Sequence, residues 1–179
     1  AATAKADRLL SLIEQRISEC NGLAAIAYSP EELYKNKQNG VKSVVLGIEN
    51  GYAIAKDINN VSRYADLGVS YMTLCHNGDN DICDSARGKY EHNGLSAFGK
   101  EVVMEMNRVG MMVDLSHASE KSFYDVLEFS KVPVICSHSS SRTLCDHPRN
   151  LTDGQMKALA NKGGVAQVCM YSGFLKKGG

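Results

Sequence analysis

Three features that decide the class of many proteins are missing from this sequence: an excess of charge of one sign, a long apolar run and closely paired cysteines. Its 20 Lys and Arg residues balance 20 Asp and Glu residues, so charge does not point to nucleic acid or an anionic membrane. No apolar run approaches the roughly 20 residues of a membrane-spanning helix. No signal peptide is visible in Ala1–Ala6. We therefore expect no nucleic-acid partner, and no membrane span is indicated. The compartment, periplasmic or cytoplasmic in a bacterium, stays open.

The six cysteines do not form a Cys-x-x-Cys pair anywhere in the chain. Cys75, Cys136 and Cys169 lie in apolar strand-like runs, where a free thiol behaves as a small hydrophobic side chain. A disulfide framework is unusual in a chain of this length and apolar content. We expect the cysteines to be reduced and buried.

From residue 41 onward the sequence alternates strictly between apolar strand-like runs and helical patterns. The predicted strands are 41–48, 69–74, 111–116, 132–137 and 165–170, with a sixth run at 23–28 outside the alternation. Such alternation predicts an α/β fold with a parallel sheet. No Gly-x-Gly-x-x-Gly follows any of these strands, so a Rossmann-type sheet lacks support. We predict a (β/α)8 TIM-barrel type fold that is incomplete, with about five of the eight strands.

This prediction also sets the domain organisation. Residues 1–179 form the central part of a single (β/α)-barrel domain. Residues 1–40 supply a helix, a short outlying strand and a second helix, and residues 41–170 supply the alternating barrel strands and helices. A long polar loop, residues 77–96, interrupts the alternation, and loops of that length are usually functional or mobile.

Four of the predicted strands end, within two residues, at Glu49, His76, His117 and His138. The carboxyl ends of parallel strands share one rim, so these side chains are expected to meet. A single histidine at a strand end is usually structural, but four Glu or His residues in succession indicate a site. Imidazole and carboxylate groups suit zinc and related divalent metals. We predict that Glu49, His117 and His138 are metal ligands and that Glu49 can bridge two cations.

Other polar residues lie near this rim, and for some of them the sequence leaves two roles open. His76 is a candidate ligand or a donor to an oxyanion. Arg149, in the loop after the last of these strands, is either a clamp for a substrate carboxylate or a solvated loop arginine. His92 and His147 lie in loops without strand context, and we do not expect them to be ligands. Asp114, in mid-strand, requires a buried partner and is a candidate to support the ligands from behind.

Several of these motifs together resemble one known family, the membrane (renal-type) dipeptidases, peptidase family M19. The motifs are Gly47-Ile48-Glu49-Asn50-Gly51, Tyr71–Asn77, Gly94–Gly99, Val113–Ser119, Pro133–Ser140 and Arg149-Asn150. Their order and spacing extend over almost the whole chain, which makes the resemblance specific.

The resemblance implies a zinc-dependent dipeptidase with two zinc ions at the carboxyl rim of a (β/α)8 barrel. By motif, Glu49 matches the carboxylate that bridges both zincs, and His117 and His138 match the two histidines on one of them. His76 matches the histidine that polarises the scissile carbonyl, and Arg149 the arginine that holds the substrate's carboxylate. The implied reaction is attack of a metal-bridging hydroxide on a dipeptide. The preferred dipeptide, and activity on D-residues or β-lactams, stay open.

Two elements of the family pattern are missing. No His-x-Asp, which ligates the other zinc in the family, occurs anywhere in the sequence, and the family's late aspartate is also absent. We therefore expect a central fragment that binds one zinc or none and is inactive alone. It would associate through open barrel edges or as a homo-oligomer, such as a dimer. The alternatives are another binuclear-metal amidohydrolase acting on C–N bonds and a non-catalytic, metal-free barrel domain.

Overall fold

The computed structural model describes residues 1–178 and consists of helices packed on parallel strands. The helices are α1 (Ala2–Ser18), α2 (Pro30–Gln38), α3 (Asn59–Asp66), α4 (Ala97–Val109), α5 (Glu120–Phe129), α6 (Asp153–Asn161) and α7 (Ser172–Leu175), with a 3-10 turn at Gly51–Ile54. The strands are β1 (Ala24–Ile26), β2 (Lys42–Val44), β3 (Leu46–Glu49), β4 (Val69–Thr73), β5 (Met112–Asp114), β6 (Ile135–Cys136) and β7 (Val165–Ala166).

The strands form two parallel sheets. The larger sheet has the order β3-β4-β5-β6-β7, which is the order of the sequence, and β1 pairs with β2 in a separate sheet. A doubly wound sheet reverses its strand order at a switch point, whereas a barrel adds each strand beside the previous one. The fold is therefore α/β and of the TIM-barrel type, as predicted, and the described residues contain part of such a barrel.

The hydrophobic core lies between the larger sheet and its helices. Outward-facing strand residues are buried there, among them Ile48, Met72, Val113 and Cys136. Hydroxyl side chains cap three of the helices that follow β3, since Ser96, Ser119 and Thr152 accept hydrogen bonds from the backbone N–H groups of Gly99, Ser122 and Gln155. The packing therefore turns the other face of the sheet, and the carboxyl ends of its strands, toward the interior of the barrel.

The predicted strand at 41–48 is wrong as a single element. The structure divides it into β2 and β3, which belong to different sheets, and the pairing of β3 with β4 is irregular between Leu46 and Gly47. A Cβ atom at Gly47 would lie 2.2 Å from Cζ of Tyr71, so only glycine allows the tyrosine ring to cross β3 at this point.

The predicted strands at 132–137 and 165–170 are too long. β6 contains two residues and begins two residues after Pro133, which has no N–H group to donate to a neighbouring strand. β7 also contains two residues, and Val168 and Met170 beyond it are 64% and 79% exposed. The apolar run that predicted a six-residue strand therefore lies largely on the surface of the described part of the chain.

The cysteines are all free, as predicted, but two of them are not buried. Cys75, Cys83, Cys136 and Cys145 are buried, whereas Cys20 and Cys169 are partly exposed. Within residues 1–178, every helix is too short or too polar to cross a membrane.

Candidate metal centre

Three donor atoms meet at the carboxyl rim of the sheet. Glu49 is the last residue of β3, and His117 and His138 follow the ends of β5 and β6. His117 Nε2 lies 2.9 Å from His138 Nε2 and 3.1 Å from Glu49 Oε1, and His138 Nε2 lies 3.2 Å from the same oxygen. Two ligands of a tetrahedral zinc with bonds of about 2.0–2.1 Å lie about 3.3 Å apart. The three atoms thus have the spacing of ligands that share one ion.

His76 extends this cluster on its solvent side. Its Nε2 lies 3.8 Å from Glu49 Oε1, its ring centroid lies 4.3 Å from that of His117, and its side chain is 45% exposed. The donor atoms of Glu49, His76 and His117 all lie within 4.8 Å of one another, so this second triad also has metal-ligand spacing. The shorter distances favour His138 over His76 as the third ligand. His76 is then free to contact a bound molecule.

The electrostatics of the rim keep two of its imidazoles neutral. Burial lowers the pKa of His117 to about 2, and the positive charge of Arg149 acts in the same direction. Burial, followed by the same arginine, also lowers the pKa of His138. Neutral imidazole is the form that binds a metal ion, so these histidines are prepared for that role at neutral pH.

The backbone of His117 adopts a conformation that few non-glycine residues take. Its φ is +73°, in the left-handed region. The loop 77–96 holds it there, because Ala86 N donates to the His117 carbonyl at 2.8 Å. The Ser85 hydroxyl, which donates to the His76 carbonyl at 2.6 Å, also lies 3.3 Å from the His117 oxygen. Such strain persists only where surrounding contacts impose it, and it is concentrated at functional sites.

The same loop supports Glu49 through its neighbour. Asn50 has a φ of +85°, its N–H donates to the Thr73 carbonyl, and its side-chain oxygen accepts from Asn80 at 3.1 Å. Asn80 also binds His92, whose Nε2 lies 2.7 Å from the Asn80 carbonyl oxygen. His92 thus makes a contact within the loop and does not belong to the metal cluster. The loop 77–96 therefore holds the backbone on either side of the rim through hydrogen bonds to Asn50 and His117.

Behind the rim, Asp114 is fully buried and receives four hydrogen bonds. Its Oδ1 accepts from the backbone N–H groups of Ser116 at 3.0 Å and Ser137 at 2.9 Å. Its Oδ2 accepts from the hydroxyls of Thr73 and Ser137, both at 2.6 Å. The partner that the sequence required for a buried aspartate is therefore a set of donors at the end of β4 and just after the ends of β5 and β6. In the sequence, Ser116 and Ser137 each directly precede one of the rim histidines, and this repeated Ser-His pair is the signal that points to them.

Arg149 is buried beside the cluster, which rules out the solvated alternative. It is 3% exposed, its Nη2 donates to the His138 carbonyl at 3.3 Å, and its guanidinium lies 5.4 Å from the ring centroid of Phe174. Its buried Nε has no acceptor within residues 1–178, and the guanidinium forms no ion pair there. His147 accepts a hydrogen bond from Arg149 N through Nδ1, and its role in the described structure is to position this loop. Sequence reasoning did not identify Phe174.

A barrel-type parallel sheet with imidazole and carboxylate donors on its carboxyl rim is typical of α/β-barrel proteins that bind a metal ion at this rim. The family model for membrane dipeptidases, peptidase family M19, matches residues 4–178. An uncharacterized dipeptidase of Schizosaccharomyces pombe is 40% identical over 162 residues, which make up 89% of this chain and 39% of that protein. The chain belongs to the membrane dipeptidase family, peptidase family M19.

Two solved structures extend the comparison to the fold. The crystal structure of an amidohydrolase from Pseudomonas aeruginosa has a TM-score of 0.89 and 36% identity, and the match covers 94% of this chain and 51% of that one. The probable dipeptidase PvdM from the same organism has a TM-score of 0.86 and 31% identity, covering 89% of this chain and 42% of that one. The chain thus spans at most about half the length of these relatives.

Proposed function

We propose that this chain carries the ligands of one zinc ion, and the bridging carboxylate, of a binuclear metallo-dipeptidase. The observation that carries the proposal is the meeting of His117 Nε2, His138 Nε2 and Glu49 Oε1 within 3.2 Å at three strand ends. Two imidazoles and a carboxylate are a donor set that suits zinc. Membership of the dipeptidase family supports the same reaction.

Glu49 has the position that a bridging and catalytic carboxylate requires. Its contacts with the three histidines run through Oε1, and its side chain is 51% exposed, so Oε2 is free to face a second cation. Zinc in this position supplies a Lewis acid and lowers the pKa of water, which provides a nucleophile at neutral pH. By holding the metal ions, Glu49 would position this nucleophile on the open side of the rim.

Arg149 and His76 are proposed to bind the dipeptide. A buried guanidinium with no ion-pair partner within residues 1–178 favours a carboxylate ligand, and a bidentate pair fixes its orientation. The half-exposed His76 lies on the solvent side of Glu49, where its Nε2 can donate a hydrogen bond to the scissile carbonyl oxygen. Together the two residues align the peptide bond with the metal cluster.

Metal analysis tests the ligand assignment. We expect the protein to retain zinc after dialysis, and His117→Ala or His138→Ala to abolish tight binding. His92→Gln is the matched control, because His92 contacts Asn80 away from the cluster and its loss should leave zinc content unchanged. Equal zinc content in all four proteins, measured by mass spectrometry of the metal, would contradict the assignment.

Dipeptide hydrolysis tests the reaction. The other zinc's ligands are proposed to lie outside residues 1–178, so the 179-residue chain alone should be inactive and a protein with the whole barrel active. In that longer protein, Arg149→Lys should raise KM for Gly-containing dipeptides by about tenfold or more, because lysine replaces a bidentate contact with a single point charge. Robust hydrolysis by the 179-residue chain would contradict the assignment of the second zinc.

A second candidate is hydrolysis of another C–N bond. The match to a protein named an amidohydrolase supports it. The buried Arg149 favours a substrate with a free carboxylate over a neutral cyclic amide. A comparison of kcat/KM for dipeptides with that for cyclic amides decides between the two candidates.

A further inference from the structure

The buried carboxylate of Asp114 is connected to the metal cluster through one hydroxyl group. Ser137 Oγ lies 2.6 Å from Asp114 Oδ2 and 2.7 Å from His138 Nδ1. The other nitrogen of the same imidazole, Nε2, is the atom that faces Glu49 and His117. Asp114, Ser137 and His138 therefore form a continuous chain of hydrogen bonds that ends at the cluster.

Counting protons along this chain fixes the direction of each bond. The two backbone N–H groups on Oδ1 can only donate, and Oδ2 accepts from the hydroxyls of Thr73 and Ser137. A serine hydroxyl has one proton, and here it points to Asp114. Ser137 Oγ can then only accept from His138 Nδ1, so this hydrogen bond requires the imidazole proton to be on Nδ1.

We propose that Asp114, acting through the Ser137 hydroxyl, holds His138 in the tautomer protonated on Nδ1 and so presents the lone pair of Nε2 to the metal. Asp114 and Ser137 are positioning residues in this scheme, since neither supplies a ligand atom to the metal and both act through His138. A hydrogen bond to the second nitrogen is what commonly orients a metal-ligating histidine and raises its basicity. The metal-binding half of this inference rests on the proposed function, whereas the tautomer does not.

His117 provides an internal contrast. Its Nδ1 is buried and has no hydrogen-bond partner within residues 1–178. Its orientation comes from the strained backbone that the loop 77–96 holds. His138 is instead oriented by its side-chain relay and by its backbone N–H, which donates to Ser116 Oγ at 2.9 Å. The two histidines are thus positioned by different means, and only the His138 side chain is linked to Asp114 through a hydroxyl.

The replacement Asp114→Asn reverses the relay with almost no change of shape. The asparagine oxygen can still accept both backbone N–H groups, while its NH2 takes the place of Oδ2 and donates to the hydroxyls of Thr73 and Ser137. The Ser137 proton is then free to donate to His138 Nδ1, which moves the imidazole proton to Nε2. The nitrogen that faces the cluster loses its lone pair.

The test measures histidine tautomers by long-range 1H–15N correlation spectroscopy on the metal-free protein at pH 8. We expect His138 to be protonated on Nδ1 in the parent protein, and the tautomer ratio to change by at least tenfold toward Nε2–H in Asp114→Asn. Ser137→Ala should also lower the ratio, and Ser137→Thr should restore it. Thr73→Val, which removes the other hydroxyl from Oδ2, is the matched control and should leave the tautomer of His138 unchanged.

Zinc titration of the same variants provides the second measurement. We expect zinc affinity to fall about 10- to 100-fold in Asp114→Asn and Ser137→Ala, and to be retained in Ser137→Thr. An unchanged His138 tautomer in both Asp114→Asn and Ser137→Ala overturns the inference, whatever the zinc affinity. If the variants change the His138 tautomer but the parent protein binds no zinc, the result supports the relay and overturns the proposed metal function instead. If Asp114→Asn does not fold, Ser137→Ala with its Ser137→Thr control decides the outcome.

Discussion

The central strands of the larger sheet and its β7 edge differ in what they bury. At β4–β6, polar groups are buried and satisfied: Asp114 and Thr73 are 0% and 1% exposed and are hydrogen-bonded to each other. At β7 and beyond, apolar groups are exposed: Val165 is 56% and Met170 79% exposed. This is the reverse of the usual distribution of polar and apolar side chains.

The difference separates a region whose buried polar network has its partners from a region whose apolar side chains are uncovered. The polar network at the rim has partners at or just after the ends of β4, β5 and β6, so the described residues complete it. The apolar side chains near β7 have no covering element within residues 1–178, and exposed apolar patches usually mark an interface. We expect changes in the first region to alter stability strongly and changes in the second to alter association.

The largest effect is expected from Asp114→Ala. This change leaves two buried backbone N–H groups and two hydroxyls without their acceptor, and should lower the free energy of unfolding by about 3–5 kcal/mol. Val168→Ser, in the exposed region, should change it by less than about 0.5 kcal/mol. Urea unfolding followed by circular dichroism measures both. Equal effects of the two changes would remove the contrast between the regions.

Thiol labelling should show the next largest difference. Cys83 is 0% exposed under the rim, whereas Cys169, beyond β7, is partly exposed. We expect Cys169 to react with a maleimide at pH 8 at least about 100-fold faster, because Cys83 reacts only when the structure opens locally. Mass spectrometry of peptides from quenched time points locates the label. Similar rates at both positions would show that the rim opens as readily as the edge.

The stability of the rim should also depend on alkaline pH through Cys83. Its contact with Cys75, and then burial, raise the pKa of Cys83 well above the ordinary value. The thiol therefore stays protonated in the folded state while the unfolded chain loses its proton above about pH 9. This stabilisation is complete below pH 9 and is lost as pH rises, at up to about 1.4 kcal/mol per pH unit.

Comparison of the parent protein with Cys83→Ala isolates this contribution, because other alkaline titrations are shared. The parent's stability advantage over the variant should shrink between pH 9 and pH 10 in urea unfolding experiments. A constant advantage over that range would mean that Cys83 ionises alike in the folded and unfolded states.

The sequence predicted the order of the strands and the residues at their ends better than it predicted strand lengths and burial. Alternation of apolar runs and helices predicted the parallel barrel sheet, and Glu and His at successive strand ends predicted which side chains meet. The same apolar pattern at 165–170 predicted a longer strand than the two residues of β7, and most of the run is exposed, because hydrophobicity reports what can be buried and not whether a neighbour covers it. Burial of Arg149 and the convergence of donors on Asp114 depend on contacts between distant segments, which local patterns do not contain.

The smallest effect on stability, and the most specific one on association, is expected from Val168→Lys. The residue is 64% exposed, so the change should alter the free energy of unfolding by less than about 0.5 kcal/mol. A lysine beside an exposed strand edge opposes edge-to-edge contact, so sedimentation velocity should show less self-association in the variant than in the parent protein. Leu23→Lys, at a residue 74% exposed next to β1, is the matched control and should leave association unchanged. Equal reductions in self-association by both lysines would indicate a general effect of charge. That result would contradict the prediction that the region near β7 is an interface.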